Sequence, residues 1–337
     1  VNSKFAVGVS NATSALFLSL KALGIGKNDE VIVPDLTFVA TVNAVLQTGA
    51  TPVITDVENE SMNISPDSIQ SSISKKTRAI IPVHFAGRAC NMNKIMKIAK
   101  LNQLYVVEDC AHAIGTKFKK KHVGTFGDFG CFSFYPTKNI TTIEGGMIIS
   151  KNKKLVNDVK ILRNHGITRS LKDRYEKGFP WDYDISEPGY NYRLDEIRSS
   201  LGSSQLKQIK NMNKKRQSAF KYYNKHLKNI DGIITPNENN LLDNSCHLYI
   251  IKIMKNKFSI SRDKLFAKLL NLGIRTTVHY KPLHKFPIYK KTGIVRTSLS
   301  ISDRLYEEIL SLPLYPNIKK QEQDYVIKKI LEIKNSN

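Results

Sequence analysis

The chain has 337 residues and carries 52 Lys and Arg against 29 Asp and Glu, a net charge of +23. With 41% hydrophobic and 24% charged residues it is not a disordered chain, and its length suits one large domain plus a smaller one. No apolar run approaches the roughly 18–20 residues of a membrane helix, and the first residues lack the apolar core of a signal peptide. The expected setting is the cytoplasm.

From residue 1 to about 165, short β-type runs alternate with amphipathic helical stretches. That is the pattern of an α/β fold, a large, mostly parallel sheet with helices on its faces. Strands are expected at Ala6–Val9, Val31–Val33, Thr51–Thr55, Ala79–Val83, Leu104–Val107, Gly130–Phe134 and Gly146–Ile149. Helices fit between them at Ser14–Leu23, Val39–Gln47, Pro66–Ser72, Met92–Leu101 and Asn152–Leu162. After Asp195 the texture changes: a helix over Leu194–Lys228, a strand at His247–Met254, a helix at Ser261–Leu272 and a last one at Gln321–Ile333. This second region reads as a smaller C-terminal α+β domain, giving domains of 1–210 and 211–337.

Cys90, Cys110, Cys131 and Cys246 show no metal-ligand spacing, so neither a zinc site nor a disulfide framework is expected. The excess charge is spread through Lys-, Asn- and Ile-rich stretches such as Lys151–Lys154 and Lys207–Lys215. It reads as compositional bias, and no helix-turn-helix, zinc finger or aromatic-studded RNA-binding pattern accompanies it. No metal, nucleic acid or membrane partner is therefore expected.

Ligands of open α/β sheets sit at the carboxyl ends of the strands. Here the run Leu104–Val107 leads into Glu108-Asp109-Cys110-Ala111-His112, and Gly130–Phe134 leads into Tyr135-Pro136-Thr137-Lys138-Asn139. A lysine and a carboxylate at neighbouring strand ends are the pair that pyridoxal 5′-phosphate (PLP) chemistry needs. The amine forms a Schiff base, and the carboxylate keeps the pyridine nitrogen protonated. Read singly, Lys138 is an ordinary surface lysine and Asp109 a strand-end cap.

The surrounding segments decide between these readings. Ser-Phe-Tyr-Pro-Thr-Lys-Asn-Ile-Thr-Thr-Ile-Glu-Gly-Gly-Met (133–147) and Val-Val-Glu-Asp-Cys-Ala-His-Ala-Ile-Gly (106–115) resemble the Schiff-base and pyridine-binding segments of the DegT/DnrJ/EryC1/StrS aminotransferases. Residues 9–16, 34–41, 189–194 and 311–316 resemble further segments of that family in its order, so the resemblance covers nearly the whole chain. It implies the PLP-dependent transferase fold of the aspartate aminotransferase type.

The resemblance also implies roles. Lys138 carries PLP and is the catalytic base, and Asp109 pairs with the pyridine nitrogen. Thr13, Ser14 and Ser133 hold the phosphate, with the amides of a helix N-terminus; the plain alternative for Thr13 and Ser14 is an N-cap. Phe38 lies on the ring face, where the plain alternative is a core residue. His112 lies near the cofactor, and Asn191 reaches the phosphate of the neighbouring subunit in a homodimer with shared active sites. Arg193, His279 and Tyr280 belong near the substrate. Glu144-Gly145-Gly146 is either a tight turn or a close backbone approach. The implied reaction moves an amino group from glutamate, leaving 2-oxoglutarate, to a keto group of a nucleotide-linked deoxysugar. His112 and the segment Pro180-Trp181-Asp182-Tyr183-Asp184 favour C4 of a 4-keto-6-deoxy sugar, for surface polysaccharide or glycan synthesis, over C3. The presence of Lys138 argues against the sugar dehydratases of the family. A non-catalytic basic nucleic-acid-binding or regulatory protein that keeps the fold is the alternative of a different class. Family members also carry a few tens of residues ahead of the first strand, where this chain starts at Val1.

Overall fold

The structure is a computed structural model and describes residues 1–169, 171–176 and 181–336; Pro180 of the segment named above lies outside them. Its strands are β1 (Phe5–Val9), β2 (Glu30–Pro34), β3 (Thr51–Thr55), β4 (Thr77–Ile80), β5 (Tyr105–Asp109), β6 (Lys117–Phe118), β7 (Lys121–His122), β8 (Phe129–Ser133), β9 (Gly146–Ser150), β10 (Ile233–Ile234), β11 (Tyr249–Ile253), β12 (Ile294–Val295) and β13 (Ile309–Leu312). Its α-helices are α1 (Ala12–Ala22), α2 (Val39–Gln47), α3 (Pro66–Ser72), α4 (Met92–Leu101), α5 (Lys153–Leu162), α6 (Leu171–Glu176), α7 (Glu196–Leu227), α8 (Lys255–Phe258), α9 (Arg262–Asn271), α10 (Pro287–Thr292), α11 (Ser300–Glu308) and α12 (Lys320–Asn335).

Eight strands form one sheet in the order β1-β9-β8-β5-β4-β2-β3-β12. β8, β5, β4, β2, β3 and β12 run parallel, while β9 is antiparallel to both of its neighbours. Both faces are covered, which is why a central strand such as Glu30–Pro34 is buried along its whole length. The pleat sends alternate residues to opposite cores. Val31, Val33 and Val107 pack with Leu16, Phe17 and Leu20 of α1, whereas Ile32 and Val106 pack with Ile69 and Ile95 from α3 and α4. Helix starts are set by side-chain caps at Asn11, Ser65, Asn91, Asn152, Asp195 and Ser261.

A second, antiparallel sheet, β10-β11-β13, packs with the later part of α7 and with α9 and α12 around Phe220, Tyr223, Tyr249, Leu265 and Ile330. The 32-residue helix α7 passes from one core toward the other and runs straight through position 210. Residues 283–299 then come back to the large sheet: Leu283, Tyr289 and Leu299 join its core, and β12 adds the edge strand beside β3. β4 stops at Ile80 rather than reaching Val83, because Pro82 has no N–H for the ladder. β5, in contrast, extends two residues past Val107 and includes Glu108 and Asp109.

Candidate active site

The parallel strands bring their carboxyl ends to one edge. Asp109, last residue of β5, is buried there; Thr41 Oγ1 donates to its Oδ2 at 3.0 Å and the Ala111 amide to its Oδ1 at 3.0 Å. Burial raises its pKa above the ordinary aspartate range, against the pull of those two hydrogen bonds and of Lys138. It has no cationic hydrogen-bond partner among the described residues, so an N–H⁺ group is what this carboxylate lacks.

Lys138 lies in the turn after β8, its amide donating to the Tyr135 carbonyl at 2.9 Å. Tyr135, Pro136 and Thr137 are exposed while Lys138 is partly buried. Burial lowers its amine to about 8, with Asp109 pulling the other way. Phe38, Tyr280 and His112 join the same site. Phe38 is 55% exposed, so it is not a core residue; its ring lies 5.8 Å from that of Tyr280. The Tyr280 hydroxyl is 3.2 Å from His112 Nε2, and His112 Nδ1 is buried with no hydrogen-bond partner. Burial pushes the Tyr280 hydroxyl up, holds His112 well below its ordinary range, and brings His279 down to about 4; Lys138 adds to the last two. His279 Nδ1 is 2.8 Å from Ser311 Oγ.

The start of α1 adjoins this group through the sheet ladder, since Val9 pairs with Gly146 and Gly146 with Ser133. Asn11 and Ser14 form a capping box: Asn11 Oδ1 accepts from the Ser14 amide at 2.8 Å, and the Ser14 hydroxyl donates to the Asn11 carbonyl at 2.8 Å. Ser14 therefore serves as part of an ordinary cap, while the first-turn amides of Ala12 and Thr13 keep no acceptor among the described residues. Gly146 is a close approach rather than a turn residue. A Cβ there would stand 2.6 Å from the Asn11 carbonyl group and 2.9 Å from the Ala12 amide.

Thr13, Ser14, Phe38, Asp109, His112, Ser133, Lys138, His279 and Tyr280 thus gather at one edge of the sheet. Asn191 and Arg193 do not join them within one chain. Asn191 is exposed and bridges to Asn164, whose Oδ1 accepts from Arg193 Nη1 at 2.5 Å. No hydrogen bond or ring contact links either to Lys138 among the described residues.

Three features had little sequence signal. Thr41 ends a quoted motif, but nothing in it marks that hydroxyl as the Asp109 donor. Behind the site, Glu108 accepts from the amides of Gly124, Phe126 and Gly127 at 2.7, 2.7 and 2.8 Å, and its Oε2 is 3.0 Å from His84 Nε2. The Cys90 amide donates to His84 Nδ1 at 3.0 Å, so the ring hydrogen is on Nε2. Cys110 stands close enough for these three to share an ion, yet both nitrogens and both oxygens are committed to protein partners. Finally, the lysines are less scattered than their sequence positions suggest. Lys117, Lys119, Lys120, Lys121, Lys151 and Lys210 line one cleft of about 860 Å³ around the β6–β7 hairpin. All four cysteines are buried and unpaired.

The chain matches the DegT/DnrJ/EryC1/StrS aminotransferase family over residues 1–331. It belongs to that family. Spore coat polysaccharide biosynthesis protein SpsC of Bacillus subtilis is 37% identical, covering 99% of this chain and 86% of SpsC. Helicobacter pylori PseC, an aminotransferase involved in the biosynthesis of pseudoaminic acid, superposes with a TM-score of 0.90 at 30% identity, over 100% of this chain and 88% of that one. The putative sugar aminotransferase Spr1654 of Streptococcus pneumoniae, solved in its pyridoxamine phosphate (PMP) form, gives a TM-score of 0.90 at 29% identity, over 98% and 88%; its PLP form is also known. The chain is a PLP-dependent aminotransferase on an aspartate aminotransferase-type fold. No helix among the described residues is long and apolar enough to cross a membrane.

Proposed function

We propose that this aminotransferase transfers the amino group of glutamate to a keto group on a nucleoside-diphosphate deoxysugar, with Lys138 as its cofactor-bearing lysine. The observation that carries the reading is the Lys138–Asp109 pair: a partly buried amine lowered to about 8, near a buried carboxylate that accepts no hydrogen bond from a cation among the described residues. The residues fit PLP. Asp109 would hold the pyridine nitrogen, Phe38 the ring face, and His112 a polar edge of the ring through its unpartnered Nδ1. Thr13, Ser14 and Ser133 would hold the phosphate, Ser14 mainly by shaping the turn whose amides are free. Once bound, PLP supplies an electron sink beside the carbon that loses its proton.

The chain's own work is then proton movement. An amine with a pKa of about 8 is partly neutral at pH 7–8, so Lys138 Nζ can take the proton from Cα of the amino donor and return one to the sugar carbon. Tyr280 and His279 border the same space, and burial makes His279 and His112 much weaker bases than Lys138, so neither competes for that proton. For the acceptor we favour C4 of a 4-keto-6-deoxy sugar over C3, on His112 and the exposed Trp181–Asp184 segment. SpsC, a spore coat polysaccharide biosynthesis protein, and PseC, which takes part in pseudoaminic acid biosynthesis, support a place in polysaccharide or glycan synthesis. Exposed Asn191 and Arg193 support a homodimer in which each subunit completes its partner's site.

The test is direct. Lys138→Ala should abolish both the visible absorbance that PLP gains on covalent attachment and the formation of 2-oxoglutarate from glutamate. A variant that keeps full turnover overturns the assignment. Screening keto-sugar nucleotides against the glutamate-loaded enzyme then separates C4 from C3. A second reading, nucleic-acid binding, is favoured by the lysine-lined cleft alone. It requires a binding constant whose logarithm falls steeply and linearly with the logarithm of salt concentration.

A further inference from the structure

The turn that bears Lys138 is exposed on its upstream side; downstream, Gln205 Oε1 accepts from the Thr141 amide at 3.0 Å, and the residue next to the lysine is fastened by its own side chain. Asn139 is 5% exposed, and every polar atom of its amide is used. Nδ2 donates to Asn213 Oδ1 at 2.9 Å and to the Ser245 carbonyl at 2.8 Å, and Oδ1 lies 2.9 Å from His247 Nδ1.

The donor and acceptor roles follow from the chain of contacts. Asn213 spends its own Nδ2 on the Ile114 carbonyl at 3.0 Å, so its Oδ1 is the atom that accepts from Asn139. Both protons of Asn139 Nδ2 then go to oxygens, Asn139 Oδ1 can only accept, and His247 Nδ1 carries the hydrogen. Burial, reinforced by Lys138, Arg216 and His279, holds His247 far below its ordinary pKa, so the ring is neutral and Nε2 has a bare lone pair. His247 also lies against His112, with ring centroids 4.3 Å apart. Two elements therefore converge on the residue after Lys138: α7 through Asn213, itself tied to the Ile114 carbonyl of the loop after β5, and the approach to β11 through Ser245 and His247.

We propose that Asn139 and His247 are positioning residues for Lys138, fixing the lysine turn to the segment that enters the small sheet and so setting where Nζ stands relative to Asp109. In this arrangement the small sheet reaches the lysine turn through the Asn139 amide. The proposal deepens the reading of Lys138 given above and rests on it for its bearing on catalysis, but its test needs no PLP.

The measurement is the pH dependence of acylation of Lys138 by a limiting amine reagent on the PLP-free chain, read on the Lys138 peptide by mass spectrometry. The wild-type midpoint is expected near 8. His247→Phe keeps a flat ring against His112 but cannot donate; His247→Asn places an amide N–H where Nδ1–H stood. Loosening the turn admits water, so the midpoint should rise by about half a pH unit or more in His247→Phe and stay within about 0.2 of wild type in His247→Asn. Equal shifts in the two variants, or no shift in either, overturn the proposal. If His247→Phe does not fold, Asn213→Ala frees Asn139 from the helix side, and an unchanged midpoint there overturns it equally. A Lys138→Ala chain that still attaches PLP would sink the cofactor reading and leave this labelling pattern as it is.

Discussion

Glu108→Gln separates the role of the strand end from that of the site. The buried carboxylate is acceptor-only and faces four donors: Oε1 meets the amides of Phe126 and Gly127, and Oε2 meets the Gly124 amide and His84 Nε2–H. A glutamine amide, turned either way, puts an NH₂ where two donors already point. The imidazole cannot reverse its tautomer to help, because its Nδ1 accepts from the Cys90 amide. Two hydrogen bonds to a charged acceptor at about 1.5–3 kcal/mol each are lost. Relief from burying the charge offsets part of this, leaving a net destabilisation of about 3 kcal/mol. The change should appear as a lower urea midpoint with an unchanged m value. A loss under about 1 kcal/mol would refute the tautomer and the four-donor account together.

Other expectations follow from the same geometry. Asp109→Asn removes the charge that holds the Lys138 amine up, so the labelling midpoint should fall below about 8; a rise would contradict the pairing. Gly146→Ala drives a methyl group into the Asn11 carbonyl and Ala12 amide, and should cost about 1–3 kcal/mol and weaken PLP binding in a spectroscopic titration. His284 Nδ1 lies 2.7 Å from Asp35, which raises its pKa. Its contribution to stability is complete below the unfolded value near 6.5 and is lost as pH rises through the folded value, so His284→Gln should flatten melting temperature against pH above 6.5. His279 and His122 are lowered to about 4, mainly by burial, and give the opposite slope: the unfolded chain binds more protons, so stability should fall from pH 6.5 toward 4. Melting curves across that window that stay flat would contradict it.

Local chemistry made most of the fold legible. The bounds of α2, α3, α4 and β3 agree residue for residue with the sequence expectation, since caps such as Ser65 and Asn91 and the flanking turns are local signals. Elements defined by a distant partner were not legible. The two-residue strand β12 exists only because Ile294 and Val295 reach Val53 and Ile54, and β13 sits in a segment that in sequence was only a motif around Ser311. The lysine cleft is of the same kind: Lys117–Lys121, Lys151 and Lys210 meet only after the hairpin, the sheet edge and α7 have packed.

The site follows that division too, and the pair Glu108-Asp109 shows why. Two adjacent carboxylates in one apolar strand look alike in sequence, and a strand taken to end at Val107 leaves both of them in a loop. β5 instead includes both, and side chains of successive strand residues point to opposite faces. Glu108 is sent toward the 124–127 loop and His84, where its capacity is filled by protein donors. Asp109 is sent toward Thr41 and the Lys138 side, where its hydrogen bonds come from Thr41 and the Ala111 amide and none from a cation among the described residues. The structural carboxylate and the one available to a cofactor therefore differ by a single step of the pleat. A one-residue slip in the register of β5 would exchange them, burying the satisfied group's donors opposite Asp109 and leaving Lys138 beside the wrong face of the strand.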